Sequence, residues 1–356
     1  MANTMRVKEA VARAGLDGLL LMDDRDIYYA TGFLPTDSAA LITGGAAFLV
    51  TDSRYIEAAQ KQAAPGVEVI LTTRERPLMS ILRELADKLG VEKLGAEEEK
   101  LSHAAYLRLE KALDRSLLPA QALLVELRSC KTREELASLV AAQRIAEKAL
   151  EEVLPMLKPG AVEREIAAEL TYRMRLHGAE GNSFDPIVVT GAKSSMPHGV
   201  PGDEVISSGD FVTMDFGCIK DGYCSDMTRT VAVGSATEEM RNVYQTVFEA
   251  QKAGIAKARP GATGAEIHGA AAKVIADAGY GAYFGHGFGH GVGLDIHEQP
   301  VASPANEKPM PEGAVISAEP GIYLPGRFGV RIEDVLYLTG EGCEDITKAP
   351  KELLIL

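Results

Sequence analysis

Residues 211–231 read Phe-Val-Thr-Met-Asp-Phe-Gly-Cys-Ile-Lys-Asp-Gly-Tyr-Cys-Ser-Asp-Met-Thr-Arg-Thr-Val. Two apolar, β-branched runs flank Lys220-Asp221-Gly222, the composition of a hairpin turn. Each run carries one acid, Asp215 in the first and Asp226 in the second. If the hairpin centres between Lys220 and Asp221, the two carboxylates face each other directly. At cross-strand distance two carboxylates repel unless they are protonated or bridged by a cation.

The same device recurs downstream. Glu319 ends Val315-Ile316-Ser317-Ala318-Glu319, Glu333 follows Val330-Arg331-Ile332, and Pro325-Gly326-Arg327 is a turn between them. A hairpin centred on Gly326 sets Glu319 opposite Glu333. The flanking sequence echoes too. Pro159-Gly160-Ala161 returns as Pro260-Gly261-Ala262, Glu165-Ile166 as Glu266-Ile267, and Gly178 as Gly279, each 101 residues on. Each copy has a helix before the Pro-Gly, a helix after it, and strands beyond. The reading is an α+β fold with a pseudo-two-fold repeat: a curved antiparallel sheet backed by helices, with a cleft on its open face.

A third element completes the constellation. His286-Gly-Phe-Gly-His290-Gly-Val-Gly-Leu-Asp-Ile-His297-Glu298 places three of the seven histidines within twelve residues. Its glycines allow close backbone approach. It lacks the Gly-Lys-Ser/Thr of a phosphate loop and the His-Glu-x-x-His of a zinc-protease helix. Four carboxylates and one imidazole form a hard donor set suited to Mn²⁺, Co²⁺, Fe²⁺ or Zn²⁺, and bridging carboxylates would serve two ions.

Composition bounds the rest. With 356 residues, two domains are expected, and 46% hydrophobic with 25% charged residues is ordinary for a soluble globular chain. A net charge of −14 argues against nucleic acid or an anionic membrane as partner. Cys130, Cys218, Cys224 and Cys343 have no metal-knuckle or disulfide spacing, so reduced thiols and a cytoplasmic location are expected. No signal peptide or apolar run of membrane-spanning length is evident.

Residues 1–125 read as a small α/β domain. Helices are expected at 5–14, 54–63 and 77–89. Strands are expected at 16–22, within 38–51 around Gly44-Gly45, at 67–71 and at 93–96. The remainder, 126–356, is the larger domain. It opens with a helix capped by Thr132 and Glu135 that ends near Pro155.

The ordered set Met-Asp-Phe-Gly, Ser-Asp-Met-Thr-Arg-Thr, the histidine loop, Ser-Ala-Glu-Pro-Gly-Ile-Tyr and Val-Arg-Ile-Glu-Asp resembles the "pita-bread" metallopeptidase family of methionine aminopeptidase, aminopeptidase P and prolidase. The resemblance spans about residues 181–334, and the N-terminal domain looks like that of aminopeptidase P, prolidase and creatinase. It implies that Asp215, Asp226, His290, Glu319 and Glu333 hold two divalent ions, with Mn²⁺ expected, and that these activate water against a peptide bond. It also implies that His198, in Met196-Pro197-His198-Gly199, bonds substrate or the developing oxyanion, and that His297 contacts the same species or shuttles a proton. His286 would shape the pocket or simply pack, and Arg331, two residues before Glu333 and so on the same strand face, would orient a carboxylate or form a structural ion pair. Phe184, Phe288 and Tyr323 belong either to a proline pocket or to the core. The implied substrates are proline-containing peptides, and the implied assembly is a homodimer. Many prolidases carry Arg three residues after the His-Glu pair; Val301 stands there instead. That leans the expectation toward an aminopeptidase P-like enzyme, with Xaa-Pro dipeptidase as the alternative and a non-catalytic peptide-binding homologue as the third reading.

Overall fold

The hairpin turns later than expected. In the computed structural model, which describes residues 3–340 and 342–356, Asp221 and Gly222 both adopt positive φ, 49° and 77°. That is the two-residue turn whose twist matches the flanking strands, and Asp-Gly supplies the left-handed residues it needs whereas Lys-Asp does not. Strand Phe211–Phe216 therefore pairs with Met227–Ala232 so that Asp215 lies opposite Thr228, and Asp226 falls just beyond the last pair, Met227 with Phe216. The direct facing of Asp215 and Asp226 is thus corrected to a diagonal. Because strand side chains alternate with period two, the two-residue offset leaves both aspartates on one face.

The second hairpin forms as read. Gly326 has φ 71°, and Gly321–Leu324 pairs with Phe328–Arg331, from Leu324 with Phe328 to Gly321 with Arg331. Beyond a break, Ala318 pairs with Asp334 in the same register. Glu319 and Glu333 occupy the interruption, opposite one another, and their N–H groups donate elsewhere, to Phe288 O at 2.8 Å and Thr228 O at 3.1 Å.

The chain divides into two compact units, Met1–Arg128 and Ser129–Leu356. In the second unit the echo is structural. The Gly160 N–H donates to Ile206 O at 2.9 Å and Ile206 N–H to Ala161 O at 2.8 Å; Gly261 N–H donates to Met310 O at 2.9 Å and Met310 N–H to Ala262 O at 2.8 Å. Both glycines hold φ near +90°, at 97° and 85°, where a side chain would be strained.

Helices Arg133–Val153 and Glu163–Leu176 back the first half, and Glu238–Lys257 and Gly264–Asp277 the second. The Thr132–Glu135 capping box forms as expected, and Thr263–Glu266 makes its counterpart in the second half. The first pair packs Leu150, Ile166, Leu170 and Met174 against Val188, Val212, Met214 and Phe216. The second packs Val243, Val247, Ile267 and Ile275 with Phe288, Ile316, Ile332 and Leu336. One half contributes the antiparallel sheet Met227–Ala232, Phe211–Phe216, Ile187–Thr190, in that order. The other contributes five antiparallel strands in the order Glu298–Ala302, Gly289–Gly291, Val315–Ala318, Asp334–Thr339, Gly342–Asp345. The halves join where Glu333 N–H donates to Thr228 O at 3.1 Å and Thr230 Oγ1 donates to Arg331 O at 3.0 Å.

The first unit is a six-stranded mixed sheet with helices on it. The expected strand Val67–Leu71 and the pair around Gly44-Gly45, at Ala39–Ile42 and Ala47–Thr51, are present. Helices Asp24–Thr31 and His103–Leu113 were not anticipated; each starts on a polar N-cap, Asp23 or Ser102, that accepts backbone N–H bonds. Among the described residues no helix is long and apolar enough to cross a membrane.

Candidate metal centre

One cavity of about 810 Å³ is lined by Asp215, Asp226, His290, Glu319 and Glu333, together with His198, His286, His297 and Arg331. The sheet's break and bulge make this possible. Gly289 cannot carry a Cβ, because it would lie 1.9 Å from Ser317 O. That close approach brings the histidine strand against Val315–Ala318, where the Ser317 hydroxyl accepts from His290 N–H at 3.0 Å and donates to Glu319 Oε1 at 3.1 Å.

His290 Nε2 lies 3.3 Å from Glu319 Oε1 and 3.5 Å from Asp226 Oδ2. Donor atoms of Asp226, His290 and Glu333 all fall within 4.8 Å of one another. The His290 Nδ1 is 3.0 Å from Gly291 O, which assigns the proton to Nδ1 and leaves the Nε2 lone pair facing the acids. Burial lowers the His290 pKa and so favours the neutral imidazole.

The acids are in the opposite predicament. Burial first, and then their negative neighbours, push Asp226 and Glu333 well above the usual carboxylate range; burial also raises Glu319, although Arg331 opposes it. Asp215 figures among the repelling neighbours of all three. Two buried oxygens, Asp215 Oδ1 and Glu333 Oε1, have no hydrogen-bond partner. Unpartnered carboxylate oxygens aimed into one cavity beside a neutral imidazole fit divalent cations: cations would remove the repulsion and occupy those lone pairs. Another acidic trio, Asp23, Asp26 and Glu97, differs: it has no histidine, and Arg128 already pairs with Asp26 at 2.8 Å.

The remaining anticipated residues take distinct places. Arg331 is buried, and the carboxylate it orients is Asp215, at 2.5 Å from Nη2. It also donates to Thr228 Oγ1 at 3.0 Å, Tyr323 Oη at 2.9 Å and Pro197 O at 3.3 Å. His286 has both ring nitrogens engaged, Nδ1 with Gly287 O at 2.8 Å and Nε2 with the Tyr323 hydroxyl at 3.0 Å. His297 sets its ring edge-on to His290, centroids 4.2 Å apart, and burial lowers its pKa. His198 stands on the cavity wall after Pro197. Phe184 and Tyr323 line the cavity, whereas Phe288 is fully buried core, its ring filling the space above Gly254.

Three supporting groups escape a sequence reading. Thr228, fully buried, donates to Glu333 Oε2 at 2.7 Å. Arg229, next along the strand, pairs with Asp334 at 2.7 Å. Lys131 pairs with Glu298 at 2.6 Å, both side chains nearly buried, on the strand that follows His297. The only available signal was adjacency of Thr228 and Arg229 to Asp226 and of Asp334 to Glu333; the pairings cross 104 or more residues and arise from the fold.

Comparison with known proteins agrees with this arrangement. Residues 137–340 match the model of metallopeptidase family M24, and residues 4–130 match the creatinase/prolidase N-terminal domain. An Xaa-Pro dipeptidase of Pyrococcus horikoshii is 35% identical over 357 residues, covering 98% of this chain and 97% of the relative. A solved Xaa-Pro dipeptidase from Bacillus anthracis superposes with TM-score 0.94 at 41% identity, covering 99% of this chain and 98% of that one. An X-Pro aminopeptidase from Thermotoga maritima superposes with TM-score 0.93 at 35% identity over the whole of both chains. The two-fold echo and the N-terminal unit are thereby accounted for together: this chain belongs to metallopeptidase family M24, as a member with a creatinase/prolidase N-terminal domain ahead of its pita-bread catalytic domain.

Proposed function

We propose that this chain hydrolyses Xaa-Pro peptide bonds as a dipeptidase, with Asp215, Asp226, His290, Glu319 and Glu333 holding two divalent ions. The observation that carries the proposal is the convergence of four carboxylates on one cavity, where burial raises Asp226, Glu319 and Glu333 and where Asp215 Oδ1 and Glu333 Oε1 lack hydrogen-bond partners. Bound divalent ions supply Lewis-acid activation of a water nucleophile and of the scissile carbonyl. Arg331 orients Asp215 by its charge-assisted bond. Thr228 and Ser317 fix the rotamers of Glu333 and Glu319. His297 and His198, on the cavity wall, are placed to donate hydrogen bonds to the oxygen that becomes negative on attack. His286 buttresses Tyr323, which buttresses Arg331. An Xaa-Pro bond is a tertiary amide without N–H, so recognition must come from shape, and Phe184, Ile296 and Val301 give the cavity an apolar side.

The dipeptidase assignment takes support from relatives named as Xaa-Pro dipeptidases and prolidases. Aminopeptidase P-like activity, first suggested by Val301, is the second reading. Val301 does line the cavity, where an arginine would have met a dipeptide's terminal carboxylate, and the Thermotoga maritima neighbour bears that name. Side-by-side turnover of Xaa-Pro dipeptides and Xaa-Pro-Xaa tripeptides with added Mn²⁺ separates the two: tripeptide-only cleavage overturns the dipeptidase assignment, and no cleavage of either overturns both. Mn²⁺ is the proposed ion, with Co²⁺, Zn²⁺ or Fe²⁺ as alternatives that the same hard donor set admits; a homodimer is proposed from the family resemblance, and a cytosolic location from the sparse, irregularly spaced cysteines.

A further inference from the structure

Residues 346–356 are tied to the back of the metal-holding sheet by several bonds, and one guanidinium gathers a cluster of them. Arg229 has five N–H donors, and each has an acceptor. Nε donates to Pro350 O at 2.8 Å, Nη1 to Thr228 O at 2.9 Å and Glu333 O at 2.6 Å, and Nη2 to Asp334 Oδ1 at 2.7 Å and Ala349 O at 2.7 Å. Arg229 and Asp334 are both buried. The other Asp334 oxygen receives Lys351 Nζ at 2.6 Å and Gln251 Nε2 at 3.2 Å. Lys351 also reaches Asp345 at 2.8 Å, while Tyr244 holds its carbonyl at 2.9 Å. Farther on, Ala232 and Leu356 exchange backbone bonds through Leu354 O and Ala232 O, each at 2.9 Å.

We infer that Arg229 is a positioning residue that couples docking of segment 346–356 to the geometry of the metal-holding acids, so that divalent-ion affinity depends on that segment. The inference rests on the metal-centre reading above. Its physical basis is that one planar fork gathers carbonyls from both halves of the repeat. Holding Thr228 O and Glu333 O on the same nitrogen fixes the separation of the two strands at the level of Glu333, while the Thr228 hydroxyl fixes the Glu333 carboxylate itself. Withdrawal of residues 349–351 strips two acceptors from Arg229 and one cation from Asp334. A buried guanidinium left with orphan donors must turn or admit water, which loosens its hold on Glu333 O and leaves the Glu333 N–H bond to Thr228 O as the remaining tie there. Partners one layer out from metal ligands tune affinity in this way.

The experiment titrates the metal-free full chain with Mn²⁺ alone, following free ion by electron paramagnetic resonance, beside thermal unfolding of the same samples. Three variants are compared with wild type: a chain ending at Lys348, Arg229→Lys, and Lys351→Met, whose side chain is a quarter exposed and therefore the mildest. A core truncation far from the acids, Val243→Ala, controls for lost stability. The truncation and Arg229→Lys are expected to weaken Mn²⁺ binding about 10–100-fold, with Lys351→Met in the same direction and Val243→Ala within about threefold of wild type. Affinities unchanged in every variant that folds, or lowered equally by Val243→Ala, would overturn the inference. Failure of wild type itself to take up Mn²⁺ would overturn the metal-centre reading and the inference with it.

Discussion

Thr228→Val isolates how much of the metal centre is built by a neutral hydroxyl. The substitution conserves volume and leaves the strand's backbone bonds intact. It removes the 2.7 Å bond to Glu333 Oε2 and the 3.0 Å bond from Arg331 Nε. A hydrogen bond to a charged acceptor contributes about 1.5–3 kcal/mol. In the metal-free protein burial, and then Asp226, hold Glu333 well above the usual carboxylate range, which disfavours the charged acceptor that bound cations would favour. The difference therefore falls on the loaded state. At about 1.4 kcal/mol per tenfold change, the loss is roughly 10–100-fold in ion affinity. Isothermal titration of metal-free protein with Mn²⁺ near neutral pH reads it directly, and Thr228→Ser, which keeps the hydroxyl, should stay within about threefold of wild type. A valine variant that binds Mn²⁺ as tightly as wild type would refute the reasoning, because Glu333 would then need no partner to serve as a ligand.

The other predictions concern protons, ligands and specificity. Asp226, Glu319 and Glu333 have raised pKa values in the metal-free fold, so the native state binds more protons than the unfolded chain at these sites. Their contribution to stability is present at low pH and is lost as pH rises past the unfolded carboxylate range and through the raised folded values. The stabilisation conferred by Mn²⁺ should accordingly grow with pH; thermal shifts that shrink instead would contradict the sign. His290→Ala and Glu333→Gln should each lower kcat/KM by about 1,000-fold or more while the metal-free far-UV spectrum is unchanged. If His297 donates a hydrogen bond in the transition state as proposed, His297→Ala should lower kcat by about 100-fold with a smaller effect on Mn²⁺ affinity; an equal loss in both would make it a ligand-positioning group. Val301→Arg should raise kcat/KM for Xaa-Pro dipeptides about tenfold relative to tripeptides, by pairing the terminal carboxylate, as measured by paired substrate kinetics.

Much of the catalytic half was legible because its acids sit where apolar strands make them costly. Asp215, Asp226, Glu319 and Glu333 stand out against β-branched neighbours, and the 101-residue echo from Gly160 to Gly261 has a physical correlate in matching backbone bonds. The exact facing of Asp215 was not legible, because a one-residue change in where a hairpin turns moves each cross-strand partner by two; only the left-handed demand of Asp221-Gly222 decides it. Phe184, Phe288 and Tyr323 were indistinguishable as aromatics in a sequence, and burial separates them: Phe288 fills a core above a helical glycine, and the other two reach the cavity. The work of Thr228, Arg229 and Lys131 was hidden because their partners, Glu333, Asp334 and Glu298, lie more than a hundred residues away in sequence. Helix Gln121–Ser129 spans the position where the sequence suggests a domain boundary, and helices Asp24–Thr31 and His103–Leu113 start at caps that also suit loops.

Residues distant in the chain are proposed to hold two cations on one cavity wall. Anomalous diffraction from crystals soaked in Mn²⁺, recorded at the manganese edge, would locate them. Two peaks are expected between Asp215, Asp226, His290, Glu319 and Glu333, both lost in Glu333→Gln or His290→Ala crystals or reduced to one. No peak there, or manganese bound only at the Asp23, Asp26 and Glu97 trio, would contradict that proposal.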